Sequence, residues 1–270
     1  MKYGIISDIH GNTEALDVVL AKCEEVGVGK YICLGDIVGY NAEPGECLER
    51  IRNLDLIACV KGNHDEYASN GDEEMLGFNP HAKQAVLWTV AQLTEEQRHW
   101  LATRPLRQSV KGLNLTIVHA TLDSPEAWGY IFDAHHAADN FSYQFTQLCL
   151  CGHSHVPIAF CKKPITMQTD SPIEEVPEWV SLPGEGMIPE NQDEADSLTM
   201  TMEPGWKYLV NVGSVGQPRN RDTRCSFAVY DDITKSLTRY RLPYDFRSTQ
   251  AKIRAVGLPE RLATRLESGS

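Results

Sequence analysis

Five short apolar runs in this chain each lead, within a few residues, into side chains that carry chemistry, and no other feature constrains the fold as tightly. "KYGIIS" leads into Asp8 and His10, "KYICLG" into Asp36, "LIACVKG" into Asn63 and His64, "LTIV" into His119, and "LCLC" into His153 and His155. Apolar runs this short, bounded by turn residues, read as buried β-strands. Between the first three lie "TEALDVVLAKCEEVG", with apolar residues at helical spacing, and "PGECLERIRNL", with proline near a helix start. Strand alternating with helix predicts a parallel α/β first half, in which ligands gather in the crevice beyond the carboxyl ends of the strands. A satisfied core histidine explains any one of these positions, but coincidence across five strands does not.

Two further helices are predicted at "NPHAKQAVLWTVAQL" and "TEEQRHWLATR". The second half differs in character. "LNLTIVHA", "QLCLCG", "YLVNVGS", "CSFAVYDD" and "SLTRYRLPY" are strand candidates joined by turn-like links, which predicts a sheet region with antiparallel pairing. Residues 160–205 carry ten acidic and two basic residues, with prolines at 164, 172, 177, 183, 189 and 204. Proline at that density excludes a long helix and leaves an irregular excursion or a hairpin, read either as a solvated loop or as a lid over the site.

At 270 residues and 42% hydrophobic content, the chain can bury a large core, and one domain over 1–270 is expected. The formal charge of −12 disfavours a long polyanion as partner, because such partners usually require a basic track. A small phosphorylated ligand held by local charges is compatible with it. The segment "MKYGIISDIHG" has only a short apolar run, and no apolar stretch approaches the roughly 20 residues of a membrane span, so a cytoplasmic protein without a membrane partner is expected. The eight cysteines sit mostly in apolar runs without CxxC spacing and read as buried thiols.

In "LCGHSHVPI", His153 and His155 are separated only by Ser154. If the segment ends a strand, side chains at i and i+2 point to the same side, so both imidazoles face one region and suit a metal. In order, "DIHGN", "GD", "GNHD", the lone His of "VHA" and "GHSHVP" resemble the five motifs of the calcineurin-like metallophosphoesterase superfamily, and "NVGSVGQPR" resembles a segment of its small bacterial phosphodiesterase and phosphatase members. The motifs run from residue 3 to about residue 157. The resemblance implies a four-layer α/β/β/α sandwich of two mixed β-sheets with a dinuclear metal centre at the sheet ends. It places Asp8, His10, Asp36 and His155 on one metal and Asp36, Asn63, His119 and His153 on the other, with Asp36 bridging. Two divalent ions less the charges of Asp8 and Asp36 leave a positive excess that attracts a phosphate, and such an ion pair can activate water for in-line displacement. Nitrogen and oxygen ligands without thiolate suit Mn, with Fe, Zn, Ni or Co as alternatives, better than Ca or Mg.

The same resemblance makes His64 the residue that contacts the phosphoryl group and protonates the leaving oxygen, set against an outer histidine that steadies Asn63. Its ordinary pKa near 6.5 would let it carry a proton at neutral pH. One departure stands out. Phosphoprotein phosphatases of this superfamily carry GDxVDRG, whereas this chain has "GDIVGYN", so Gly39 and Tyr40 replace the Asp and Arg of that motif and phosphoprotein phosphatase activity of that type is not expected. Arg219 is the best substitute phosphate grip, against a surface or salt-bridge role. Gly11 and Asn12 shape the first loop. Tyr40, Trp128 and Tyr130 could stack on a base but are expected to pack in the core, and His81, His99, His135 and His136 are expected at the surface or in packing. The function implied is hydrolysis of a small phosphomonoester, phosphodiester or nucleotide by metal-hydroxide attack. A nuclease is the rival enzyme and a non-catalytic interaction scaffold the rival class; a homo-oligomer is compatible with either.

Overall fold

A computed structural model of the protein describes residues 1–270 apart from 72–74, 76–77, 165–172, 177–178 and 180–190. Its strands are β1 (Lys2–Ile6), β2 (Val28–Cys33), β3 (Leu56–Cys59), β4 (Arg107–Val110), β5 (Leu115–Val118), β6 (Leu148–Cys151), β7 (Ile158–Lys162), β8 (Ile173–Glu175), β9 (Asp196–Thr201), β10 (Lys207–Asn211), β11 (Cys225–Asp231) and β12 (Ser236–Leu242). Its helices are α1 (Thr13–Glu25), α2 (Pro44–Arg52), α3 (Asn63–Asn70), α4 (Pro80–Gln92), α5 (Glu95–Ala102), α6 (Ala134–Tyr143), α7 (Phe246–Ala255) and α8 (Glu260–Thr264). Local chemistry sets several boundaries. The Asn12 carboxamide accepts from Ala15 N to cap α1, Asn79 caps α4 just before Pro80, and Thr94 with Gln97 closes a capping box on α5.

Two six-stranded sheets form, ordered β3-β2-β1-β11-β12-β9 and β4-β5-β6-β10-β7-β8. In the first, β1, β2 and β3 are parallel, as expected, and β11, β12 and β9 join antiparallel. In the second, β5, β6 and β10 are parallel, with β4, β7 and β8 antiparallel at the flanks. Both sheets are therefore mixed, and the second-half strands are shared between them instead of forming one antiparallel region.

Strand alternation then dictates the layers. Ile5, Ile32 and Ala228 point inward with Ile117, Leu150 and Val210 of the other sheet, forming the core between the two. Their neighbours Ile6, Cys33 and Val229 point outward onto Leu16, Val19, Leu48 and Ile51 of α1 and α2. On the far side, Cys149, Phe160 and Leu209 pack against Ala137 and Phe141 of α6. This is the expected four-layer α/β/β/α sandwich. All eight cysteines are free and buried. Among the described residues, no helix is long and apolar enough to cross a membrane.

The excursion at 160–205 resolves in part. β7, β8 and β9 occupy stretches of it as strands, while the lid reading falls on 165–172, 177–178 and 180–190, outside the described residues.

Candidate metal centre

The chemistry-bearing side chains sit just past the carboxyl ends of β1, β2, β3, β5 and β6, where each strand gives way to a tight loop. Asp8, His10, Asp36, His153 and His155 all adopt the left-handed conformation, with φ of 53°, 50°, 52°, 69° and 60°. Non-glycine residues avoid that region, so clustered strain marks loops whose geometry surrounding contacts impose. It also corrects the expectation for "GHSH". β6 ends at Cys151, so the two histidines converge through left-handed loop turns and not through the pleat of a strand.

The loops can approach because glycines remove side chains between them. A Cβ on Gly62 would lie 2.0 Å from Asp36 Oδ1, and one on Gly39, at φ +94°, would lie 2.4 Å from His64 Nδ1. Asp65, to which the sequence reading gave no role, knits these loops together. Its carboxylate accepts from Ile37 N at 2.9 Å, Val38 N at 3.2 Å and Gly62 N at 3.1 Å. The three-residue step from Gly62 to Asp65 is a capping-box spacing, a signal that could have pointed to it. Asn12, expected to shape the first loop, donates to Gly216 O at 2.9 Å.

Two groups of buried donors result: Asp8, His10, Asp36 and His155, and Asp36, His119 and His153, meeting at Asp36. His155 Nε2 lies 3.3 Å from Asp8 Oδ1, His119 Nε2 3.3 Å from Asp36 Oδ2, and His10 Nε2 3.6 Å from Asp36 Oδ2. Each imidazole is fixed by a backbone carbonyl. Val38 O, Leu34 O and Gln217 O lie 3.0, 2.8 and 2.6 Å from Nδ1 of His10, His119 and His155, and Trp128 O lies 2.9 Å from His153 Nε2. A carbonyl only accepts, so those ring nitrogens carry the protons and, in the neutral ring, the opposite nitrogen presents a lone pair.

These residues fit a divalent metal. His10 Nε2 and His155 Nε2 face one another at 3.2 Å. Two lone pairs at that distance repel unless a cation lies against both, and roughly 3 Å is the edge expected between ligands bound at about 2.1 Å. Among the described residues, the buried Asn63 Oδ1 has no hydrogen-bond partner.

With the protein groups alone acting, burial holds His10 and His155 well below the ordinary histidine range. Burial and the charge of His119 push His153 down to about 3. His119 goes the other way, up to about 10, because Asp36 and Asp8 outweigh its burial. Burial, partly offset by His119, raises Asp8 to about 6, while Asp36 is held low because His119 and His64 outweigh its burial. Neutral imidazoles are the form that binds metal.

His64 lies beside these groups. Its backbone N–H donates to Asp36 Oδ1 at 2.9 Å, and its ring sits 4.8 Å from that of His10 and 4.2 Å from that of Tyr40. Burial drives it down to about 4, so at neutral pH the free ring is not an acid, contrary to what its ordinary pKa suggests. Arg219 lies with its guanidinium 5.5 Å from the Tyr40 ring centre.

A cleft of about 390 Å³ opens here, walled by Tyr40, Tyr130, Arg219, Arg261 and Arg265, with His81 on its rim. Tyr130 is not core. It is 44% exposed and stacks on His153 at 4.2 Å. Tyr40 is buried but packs against the site, and His81 is exposed at the mouth of the cleft. Arg261 and Arg265 escaped the sequence reading because nothing near them repeats a motif; the fold alone carries the chain's end to the cleft.

Similarity to known proteins agrees with this construction. Residues 1–235 match the calcineurin-like phosphoesterase superfamily domain. An uncharacterized protein of Methanocaldococcus jannaschii is 36% identical over 267 residues, 98% of this chain and 97% of that one. A metallophosphoesterase from Sphaerobacter thermophilus is 35% identical and superposes with a TM-score of 0.78 over 100% of this chain and 99% of its own. A hypothetical protein from Pyrococcus horikoshii OT3, 20% identical, shares the fold with a TM-score of 0.74 over 100% and 98% of the two chains. With the motif residues converged at the strand ends of a four-layer sandwich, the chain belongs to the calcineurin-like phosphoesterase superfamily, a family of metal-dependent enzymes.

Proposed function

We propose that the protein is a cytoplasmic, dinuclear metal-dependent phosphoesterase that hydrolyses a small phosphomonoester, phosphodiester or nucleotide, with residues 1–270 acting as one domain. The observation that carries this reading is the pair of buried donor groups meeting at Asp36. Asp8, His10, Asp36 and His155 would hold one ion and Asp36, Asn63, His119 and His153 the other. Two such ions, Mn first among the transition metals, would supply the positive charge that binds a phosphoryl group and an activated water nucleophile.

The chain's own residues do the rest. Asp36 holds both halves of the centre at a fixed spacing, and Asp65 fixes the loop that carries Asp36. Arg219, whose buried Nε has no hydrogen-bond partner among the described residues, would grip non-reacting phosphate oxygens. His64, neutral when free, would take a proton from solvent as the anionic phosphoryl group arrives and deliver that proton to the departing oxygen.

A metal-by-substrate activity matrix tests this. Mn, Fe, Co, Ni and Zn are crossed with an aryl monoester, an aryl diester, a cyclic nucleotide and a dinucleoside polyphosphate. Turnover of at least one substrate by the Mn form is expected. Stoichiometric metal binding with no hydrolysis in any cell would leave the interaction scaffold instead.

A further inference from the structure

Beside the metal centre, the cleft gathers three guanidiniums that the hydrolysis of a single phosphate does not require. In a chain of net charge −12, several arginines elsewhere are paired: Arg50, Arg52, Arg224, Arg241 and Arg254 each lie against a carboxylate. Among the described residues, no Asp or Glu side chain lies within ion-pair distance of Arg219, Arg261 or Arg265.

Arg219 and Arg265 are also forced together. Both donate to one neutral acceptor, Gln217 Oε1, each at 2.9 Å. Their guanidiniums lie 5.5 and 6.0 Å from the centre of the same Tyr40 ring. Burial and the charge of Arg219 pull Arg265 down to about 10, a sign of like charges brought close. Such an arrangement costs stability unless an anion compensates it.

The cleft is continuous with the centre. The Tyr40 ring lies 4.2 Å from His64 and 4.6 Å from His10, while Tyr130 stacks on His153. Gln217 ties the two together, since its backbone oxygen meets His155 Nδ1 and its side chain holds both arginines. At about 390 Å³ the space suits a small ligand, and the first turn of α4 adds the positive end of a helix dipole at the rim. A single phosphoryl group held by the centre, His64 and Arg219 would leave Arg261 and Arg265 uncompensated.

We propose that the Tyr40–Arg219–Arg261–Arg265 cleft is a subsite for a second phosphate, which makes the substrate class phosphoesters bearing at least two phosphates, as in nucleoside diphosphates and polyphosphates. This rests on the phosphoesterase reading of the metal centre. Arg261 and Arg265 lie outside residues 1–235, the part that matches the superfamily pattern, so this selectivity is set by the chain's final segment.

Calorimetry on the Mn-loaded protein tests it with two ligands that resist hydrolysis: α,β-methylene-ADP, with two phosphorus centres, and phenylphosphonate, with one. Arg261→Ala and Arg265→Gln should each weaken the first roughly 10-fold or more, and the second by less than about twofold, with Arg265→Lys intermediate. Arg265 also donates to the Ser270 carbonyl, so its variants need an unchanged Tm; Arg261, exposed, decides the matter if they lack one. Equal weakening of both ligands by Arg261→Ala, or of neither, would overturn the subsite. Turnover is scored separately. A protein that binds as expected but hydrolyses no phosphoester with any metal would refute the hydrolytic reading, while the binding result still decides the subsite.

Discussion

At the scale of single residues, Asp36 and His64 occupy adjacent positions in space with opposite demands. Asp36 belongs to both donor groups, so Asp36→Asn should lower metal content and activity together, and by more than His10→Ala, which touches one group. Elemental analysis of the two variants decides it, and full occupancy with near-normal rates in Asp36→Asn would remove the shared role. His64 is neutral when free, and its buried Nδ1 has no hydrogen-bond partner among the described residues. If it delivers a proton to the leaving oxygen, its value depends on how basic that oxygen is. Nitrophenolate departs unaided, whereas an alkoxide needs the proton, so His64→Ala should slow alkyl esters more than nitrophenyl esters, within the roughly 10² to 10⁴ range of general acid catalysis. Metal content should be unchanged. Equal slowing of both esters would reassign His64 to holding phosphoryl charge, and lost metal would make it a support for Asn63. Asp8, His10, Asp36, His119, His153 and His155 were legible in the sequence because each follows an apolar run that becomes a strand, so local pattern and spatial position coincide. Asp65 and Arg265 were not, because their roles depend on partners in other loops.

At the scale of elements, β9 is an edge strand held by charge as well as by its ladder to β12. Asp196, its first residue, accepts from Arg241 Nε at 2.9 Å and meets Arg224 at 3.1 Å, and both arginines also bind Asp222. Its burial would raise the carboxyl pKa, but the hydrogen bond and charge of Arg241, then Arg224, hold it below the ordinary range. A depressed carboxylate stabilises the fold above its unfolded pKa of about 3.9, and that contribution disappears as pH falls through the folded value. Asp196 is 38% exposed, so solvent screening limits the loss in Asp196→Asn to about 1 kcal/mol, or roughly 2–4 °C in Tm near neutral pH. The gap from the unaltered protein should hold between about pH 7 and pH 5 and close below about pH 4. Melting curves across that range check it, and a gap that widens on acidification would contradict the sign. β9 also marks a limit of sequence reading. With polar residues on one face and few strong strand formers, "DSLTMT" sits in the acidic, proline-rich stretch and looks like loop, and only pairing with β12 makes it strand. β4, "RQSV", was missed for want of strand formers, and β7, "IAFCK", though apolar and buried, because it follows directly on "GHSHVP"; α1, α2, α4 and α5 carry their own caps, proline starts or apolar stripes and were read correctly.

At the scale of the molecule, the division of strands between two sheets was illegible locally, because β1 pairs with β11 from the far end of the chain and no short-range pattern encodes that. The division matters because the candidate ligands come from both layers. Asp8, His10, Asp36 and Asn63 follow β1, β2 and β3 of one sheet, and His119, His153 and His155 follow β5 and β6 of the other. An ion held by both sets therefore ties the sheets together at one end of the core, and an unfolded chain, with those residues spread from 8 to 155, has no comparable site. Binding to the folded state alone stabilises by RT ln(1 + [L]/Kd), about 2.7 kcal/mol when free ion stands at 100 times its Kd. For a chain of this size that corresponds to a Tm rise of roughly 5–10 °C. Mn added to chelator-treated protein should produce that rise, and it should shrink in Asp36→Asn, where the shared carboxylate no longer carries charge. His10→Ala and His155→Ala, removing one donor from each sheet, should each reduce the shift, whereas His136→Ala, an exposed histidine paired with Asp133, should leave it whole. A Tm indifferent to Mn, or a shift that survives in Asp36→Asn, would show that the ion does not couple the two sheets.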